Sequence, residues 1–222
     1  MRVIIAGASG LVGTELTKLC LDEPKISKVF VLVRNHMDMS HPKLEQIDVD
    51  YDDLHADTLP HNLDVIYNCL GTTIKNAGSN EAFKKVDYDY VVELAKLAYE
   101  KEVNKFISVS SIGAKKNSKL FYYMVKGQTE DFLMNYSKME NVFILRPSLL
   151  LGKRKDFRLG ESMAKVFMTL INILFIGNLK THKAIQARTV AKAMLNLSKM
   201  DETGKKIIEN KGIFLIAKAT SD

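Results

Sequence analysis

A chain of 222 residues with 46% apolar and 26% charged side chains suits one folded domain and excludes both a disordered tail and a pair of independent folds. The net charge of +6 accommodates an acidic ligand such as a nucleotide phosphate. It does not describe a nucleic-acid-binding surface, because the basic residues stand in short scattered groups with little aromatic interleaving.

Taken in order, VIIA near the amino terminus reads as a buried strand. A glycine-rich turn follows, and LVGTELTKLCL then has helical spacing at Leu11, Leu16, Leu19 and Cys20. KVFVLV resumes strand character, and a third strand ends ahead of Asp50. DVIYNCL (64–70), KFISV (105–109) and VFIL (142–145) are further buried-strand candidates, separated by helical segments near 82–101 and 122–136. After Arg146 and Pro147 the rhythm breaks into a basic loop, an apolar helix and a helical segment near 189–200. Alternation of this kind predicts right-handed βαβ crossovers, hence an α/β fold of the Rossmann-like doubly wound type with a parallel sheet. The expectation is a single NAD(P)-binding domain over 1–222, to which 148–222 contributes a small substrate-side cap.

The two cysteines sit in apolar runs and do not form a disulfide framework, and the five histidines lack metal-ligand spacing, so no metal is expected. The first apolar run is too short for a signal peptide, which makes the cytoplasm the expected location. The longest apolar stretch, VFMTLINILFIG (166–177), falls well below the roughly twenty residues of a membrane span. It reads as a helix over the substrate cleft, and 163–179 offers a surface on which a homodimer could form.

Between the first strand and first helix stands GASGLVG, with Gly7, Gly10 and Gly13 in the order turn, close backbone approach and helix–strand packing. A helix N-terminus there presents free N–H groups to a pyrophosphate, and the strand–turn–helix context is the one this motif requires. At the end of the second strand, LVRN places Arg34 where an NAD site would carry a carboxylate. A guanidinium can fork onto a 2′-phosphate, so NADP(H) is favoured, with Asp38 keeping NAD(H) open. Asp50 and Tyr51 stand where they could flank the adenine or begin a turn.

Carboxyl ends of parallel strands form the ligand crevice, and NCLGTT, SVSSIGA and LFYYMVKG all follow such ends. Tyr122 and Lys126 are i and i+4, whereas Tyr123 and Lys126 are i and i+3, and spacing alone does not choose between the tyrosines.

The GxxGxxG turn, the serines after the fifth strand and YxxxK together resemble the short-chain dehydrogenase/reductase superfamily in its extended or atypical branch. CLGTT, FKKVDYDYV, SSIGA, YYMVKGQTED and LRPSLLL further resemble the corresponding blocks of the Tat-interacting-protein type of atypical reductase, over nearly the whole chain. The resemblance implies that Gly7, Ser9, Gly10, Leu11, Val12 and Gly13 hold the pyrophosphate and Arg34 the 2′-phosphate. It implies Asp50 and Tyr51 at the adenine, Leu70, Gly71 and Thr72 on the ribose side, and Pro147, Ser148 and Leu149 toward the nicotinamide carboxamide. It selects Tyr122 as general acid in reduction of a small-molecule carbonyl substrate. Lys126 would bond the nicotinamide ribose and favour the phenolate, and Ser111, with Ser110 as the neighbour one register away, would hydrogen-bond the substrate oxygen. Asp87 departs from the pattern, standing where many extended members carry asparagine. The reading that follows is an NADPH-dependent oxidoreductase; the alternative is a non-catalytic NADP(H)-sensing or partner-binding protein.

Overall fold

The structure, a computed structural model, describes residues 1–152 and 183–219. Five strands occupy the middle of the sheet: β1 (Arg2–Ala6), β2 (Lys28–Val33), β4 (Val65–Asn68), β5 (Lys105–Val109) and β6 (Asn141–Arg146). Each is buried along nearly its whole length and reads as a continuous apolar, β-branched run, because helices cover both faces. The edges are β3 (Leu44–Asp48) and β9 (Lys205–Glu209), both half-exposed and rich in charge. All pairings are parallel, in the order β3-β2-β1-β4-β5-β6-β9. A second, two-stranded sheet pairs β7 (Leu150–Leu151) with β8 (Ile185–Gln186).

The period-two alternation of β1 divides the core. Val3 and Ile5 point into a layer with Leu16, Val29, Val31, Val190 and Met194, whereas Ile4 and Ala6 point into a layer with Phe30, Leu32, Val91, Leu94 and Phe106. The first layer lies under α1 (Leu11–Asp22) and α6 (Ala187–Lys199), with α7 (Asn210–Lys218) packed on α6. The second lies under α4 (Tyr90–Glu100). Along the same face run the short helices α2 (Ile74–Ala77) and α3 (Asn80–Lys84), and α5 (Phe121–Asp131).

Two features differ from the sequence reading. The segment 148–222 was expected to act as a substrate-side cap, yet β9 extends the main sheet and α6 and α7 complete one of its helical layers. The physical reason is that α6 carries a continuous apolar face from Ala187 to Leu197, which needs the sheet to bury it. The apolar stretch 166–177 and the proposed dimer surface 163–179 lie outside the described residues. The second difference is local. A π-helical segment, Lys85–Asp89, joins α3 to α4, and another, Phe132–Tyr136, extends α5.

Candidate active site

Strand order reverses between β1 and β4, so the carboxyl ends of these two strands flank the crevice in which a doubly wound sheet takes its ligand. The glycine turn lies on one side. Gly7 has φ +77°, and a Cβ there would stand 2.5 Å from the carbonyl oxygen of Cys69, so the β1 and β4 ends touch through a residue without a side chain. A Cβ on Gly13 would lie 2.2 Å from the Gly7 carbonyl oxygen, which is how closely α1 is drawn onto the turn. Gly10 caps α1 without a side-chain hydrogen bond, and the first turn contains no acidic residue. The helix end therefore offers its N–H groups and positive dipole with Ser9 and Gly10 exposed at the surface, a cradle that fits a pyrophosphate.

Arg34 is exposed just beyond the end of β2 and forms no ion pair among the described residues. Its neighbour His36 meets Asp48 at 3.0 Å. Asp50 spends its carboxylate on a turn, accepting the Asp52 N–H at 2.9 Å. Tyr51 is buried, its ring stacked on Tyr90 at 5.2 Å and its hydroxyl 3.4 Å from the Leu32 carbonyl. Burial pushes its phenol up, against a Gly7 N–H that pulls the other way, so the hydroxyl sits beneath the glycine turn.

On the β4 side, the Leu70 N–H donates to Asn68, whose amide donates to the Ser108 hydroxyl, and Gly71 and Thr72 follow. Gly71 leaves room beside a buried ion pair. A Cβ there would lie 3.5 Å from both the Asp87 carboxylate and the Lys126 ammonium. Asp87 Oδ1 and Lys126 Nζ are 2.8 Å apart, off the line of a well-aligned hydrogen bond, while Asp87 Oδ2 accepts the Thr72 N–H at 2.9 Å. The carboxylate thus joins the loop after β4 to α5.

Ordinary helical spacing brings a charged residue to this position. Phe83, Asp87, Val91, Leu94 and Ala98 form the inward stripe of the helix, so the acid occupies a core position. Thr129 on α5 donates to the Asp87 main-chain oxygen at 2.7 Å, fixing the wide turn from outside. Phe83 and Asp87 on one helix meet Tyr122 and Lys126 on the other: the Phe83 and Tyr122 rings are 5.4 Å apart, and the ion pair lies one turn along. Tyr122 and Lys126 therefore share a face. Tyr123 turns away, buried edge-on to Tyr122 at 5.3 Å and against Gly113, and burial raises its phenol.

The two serines after β5 differ in their commitments. Ser110 donates to Glu130 at 2.5 Å, and Glu130 is gripped by Arg146, which also reaches Glu209 at 2.8 Å. The hydrogen bonds that the Arg146 guanidinium donates to Glu130 hold it firmly protonated. Ser111 is half-buried and, among the described residues, donates only to the adjacent Ile112 carbonyl, at 3.1 Å. Pro147 accepts the Ile112 N–H, and Ser148 is anchored by Asn210 and the Lys183 carbonyl. Leu149 accepts the Ile185 N–H. The loop after β6 is thereby stitched to the loop bearing Ser111.

Sequence comparison agrees with this geometry, as residues 3–206 match the profile described as the NAD dependent epimerase/dehydratase family. The chain belongs to that family. It is an NAD(P)-binding enzyme of the extended short-chain dehydrogenase/reductase type, as the sequence blocks had indicated. The rat (Rattus norvegicus) protein HTATIP2 is 33% identical over 222 residues, spanning 97% of this chain and 89% of its own. Protein FMP52 of Eremothecium gossypii, described as mitochondrial, is 36% identical over 160 residues, 72% of this chain and 71% of its own. The solved oxidoreductase ylbE from Lactococcus lactis superimposes with a TM-score of 0.71 at 19% identity, covering 100% of this chain and 99% of its own, which shows a shared fold. The cytoplasmic location expected from the sequence is overturned by the FMP52 relatives, all named as mitochondrial proteins.

Proposed function

We propose that the protein is an NADPH-dependent reductase of a small carbonyl compound, acting in the mitochondrion as its FMP52 relatives' names suggest. The observation that carries the reading is the common face of Tyr122 and Lys126 on α5, set beside the loop after β4 at the strand-order switch. NADPH supplies a hydride when bound. The chain's own part is to place a proton and to hold charge. The Tyr122 hydroxyl gives its proton to the carbonyl oxygen as negative charge develops there, and the Ser111 hydroxyl, uncommitted to any other side chain among the described residues, donates to the same oxygen. Ser110 is engaged with Glu130, which favours Ser111 for that role. Lys126 orients the ribose, and Arg34 faces the 2′-phosphate, its exposed guanidinium supporting NADPH over NADH.

A panel of aldehydes and ketones, followed by loss of the reduced nicotinamide absorbance, tests the proposal. Turnover of at least one carbonyl is expected, and Tyr122→Phe lowers kcat by about a hundredfold or more while leaving NADPH affinity unchanged. Undiminished turnover in Tyr122→Phe would remove the tyrosine from the chemistry. Tight NADPH binding with no turnover across the panel would favour the dinucleotide-sensing alternative.

A further inference from the structure

We propose that Asn210 is a positioning residue for the nicotinamide half of the cofactor, holding the loop after β6 in place beside Ser111. The inference rests on the reading of Ser111 and Tyr122 as the place of hydride transfer and adds to it a residue from the far end of the chain. A ring that gives hydride to a carbonyl held by Ser111 and Tyr122 must lie beside them. The loop 147–149 borders that place, because the Pro147 carbonyl accepts the N–H of Ile112, the residue after Ser111, at 3.0 Å.

The register of the sheet delivers Asn210 to this loop. β9 runs parallel to β6 with Glu209 opposite Arg146, and their side chains meet at 2.8 Å. The next residues, Asn210 and Pro147, therefore leave the two strands side by side at the carboxyl end of the sheet, where ligands are taken. Asn210 is buried as the first residue of α7, and both polar atoms of its side chain are engaged. Its Oδ1 accepts the Ser148 N–H at 3.0 Å, and its Nδ2 donates to the Lys183 carbonyl at 2.9 Å. The same carbonyl accepts the Ser148 hydroxyl at 2.6 Å, so one amide ties the ends of β9 and β6 to the approach to β8.

The loop depends on this tie. Proline has no N–H to offer, the Ser148 N–H belongs to Asn210, and the Leu149 carbonyl is taken by Ile185. Without the Asn210 amide the buried Ser148 N–H loses its acceptor, and the loop must shift to find another. The disturbance is confined to one end of the crevice. In the order β1-β4-β5-β6 the loop-bearing strand stands three strands from β1, about 14 Å at about 4.8 Å per strand, so the glycine turn lies beyond its reach. Arg34 after β2 is farther still. Loss of Asn210 is therefore felt by the nicotinamide and not by the phosphates or the adenine.

The test separates the two halves of the cofactor, by calorimetry on the full-length protein with NADPH and with 2′-phospho-ADP-ribose, which lacks only the nicotinamide. In Asn210→Ala, NADPH affinity is expected to fall about tenfold while 2′-phospho-ADP-ribose stays within about twofold of wild type. Equal loss for both ligands marks a general loosening of the fold and overturns the inference, as does unchanged NADPH binding. Asn210→Asp keeps an acceptor for the Ser148 N–H and is expected to hold NADPH within about threefold of wild type, and a loss as deep as alanine's would also overturn it. Asn210→Ser, suited to a helix start but giving up both contacts, replaces alanine if that variant fails to fold, with the same split expected. Binding of neither ligand by the wild type would remove the cofactor reading and this inference with it, whereas wild-type binding with an unsplit loss overturns the inference alone.

Discussion

Gly13→Ala sets two effects of opposite sign against each other. Gly13 lies inside α1, where replacing glycine by alanine ordinarily stabilises a helix by up to about 1 kcal/mol. Here the added Cβ would lie 2.2 Å from the Gly7 carbonyl oxygen and 2.8 Å from the Ala8 Cα, both main-chain atoms that cannot swing aside. Reaching ordinary contact at 3.4 Å requires a separation larger by 3.4 − 2.2 = 1.2 Å, so α1 must retreat from the turn. Overpacking of this kind costs about 1–3 kcal/mol. Packing therefore outweighs propensity, and a net loss of about 1–2 kcal/mol is expected from a shift of the urea midpoint at unchanged m-value. The same retreat carries the α1 N-terminus away from the pyrophosphate, so NADPH affinity falls by about tenfold or more when measured by calorimetry. An alanine variant as stable as wild type, binding NADPH equally well, would refute the argument that helix and turn must touch.

Three further outcomes follow from particular contacts. Arg34→Ala is expected to weaken NADPH by about ten- to a hundredfold, the worth of a lost charge-assisted contact, with NADH little changed; equal loss for both cofactors in calorimetry would take Arg34 off the 2′-phosphate. Tyr67→Phe removes the hydroxyl that donates to Ser198 at 2.6 Å between β4 and α6, and is expected to cost about 0.5–1.5 kcal/mol in urea unfolding. No measurable cost would mean that the bond contributes nothing to the docking of α6. Glu23 accepts from Lys199, and this hydrogen bond outweighs partial burial to hold its carboxyl below the usual range. Because the folded pKa is depressed, the pair stabilises above the unfolded value of about 4.3 and loses that contribution as pH falls through the folded value. Glu23→Gln is therefore expected to destabilise at neutral pH and to converge with wild type in acid, and urea midpoints that stay parallel down the pH scale would exclude the linkage.

Much of this was legible in the sequence because the central strands are covered on both faces and so read as unbroken apolar runs, as in VIIA, KVFVLV and KFISV. β9 was not legible: KKIIE at a sheet edge shows one lysine pair and two isoleucines, a pattern indistinguishable from solvated surface until its pairing with β6 is seen. The cap suffered from the same gap, since a helix like α6 has the same amphipathic pattern whether it covers a cleft or a sheet. The choice between Tyr122 and Tyr123 was beyond spacing, because both lie within reach of Lys126 on a helix; that Tyr122 faces Phe83 on the side where Lys126 meets Asp87, while Tyr123 packs on Gly113, supports the proposal of Tyr122. Asp87 itself left a trace, as the one charged residue in a stripe of Phe83, Val91, Leu94 and Ala98, but the π segment that contains it has no distinguishing composition. Location was misread because a short apolar start says nothing of the organelle.

The most direct measurement of the central claim is a calorimetric titration of the wild-type protein with NADPH and with NADH. Saturable one-to-one binding, tighter for NADPH, is the predicted result, and it would place a dinucleotide at the crevice between the β1 and β4 ends. Absence of binding by either cofactor would contradict the account, leaving the glycine turn without a phosphate and Tyr122 without a hydride to follow.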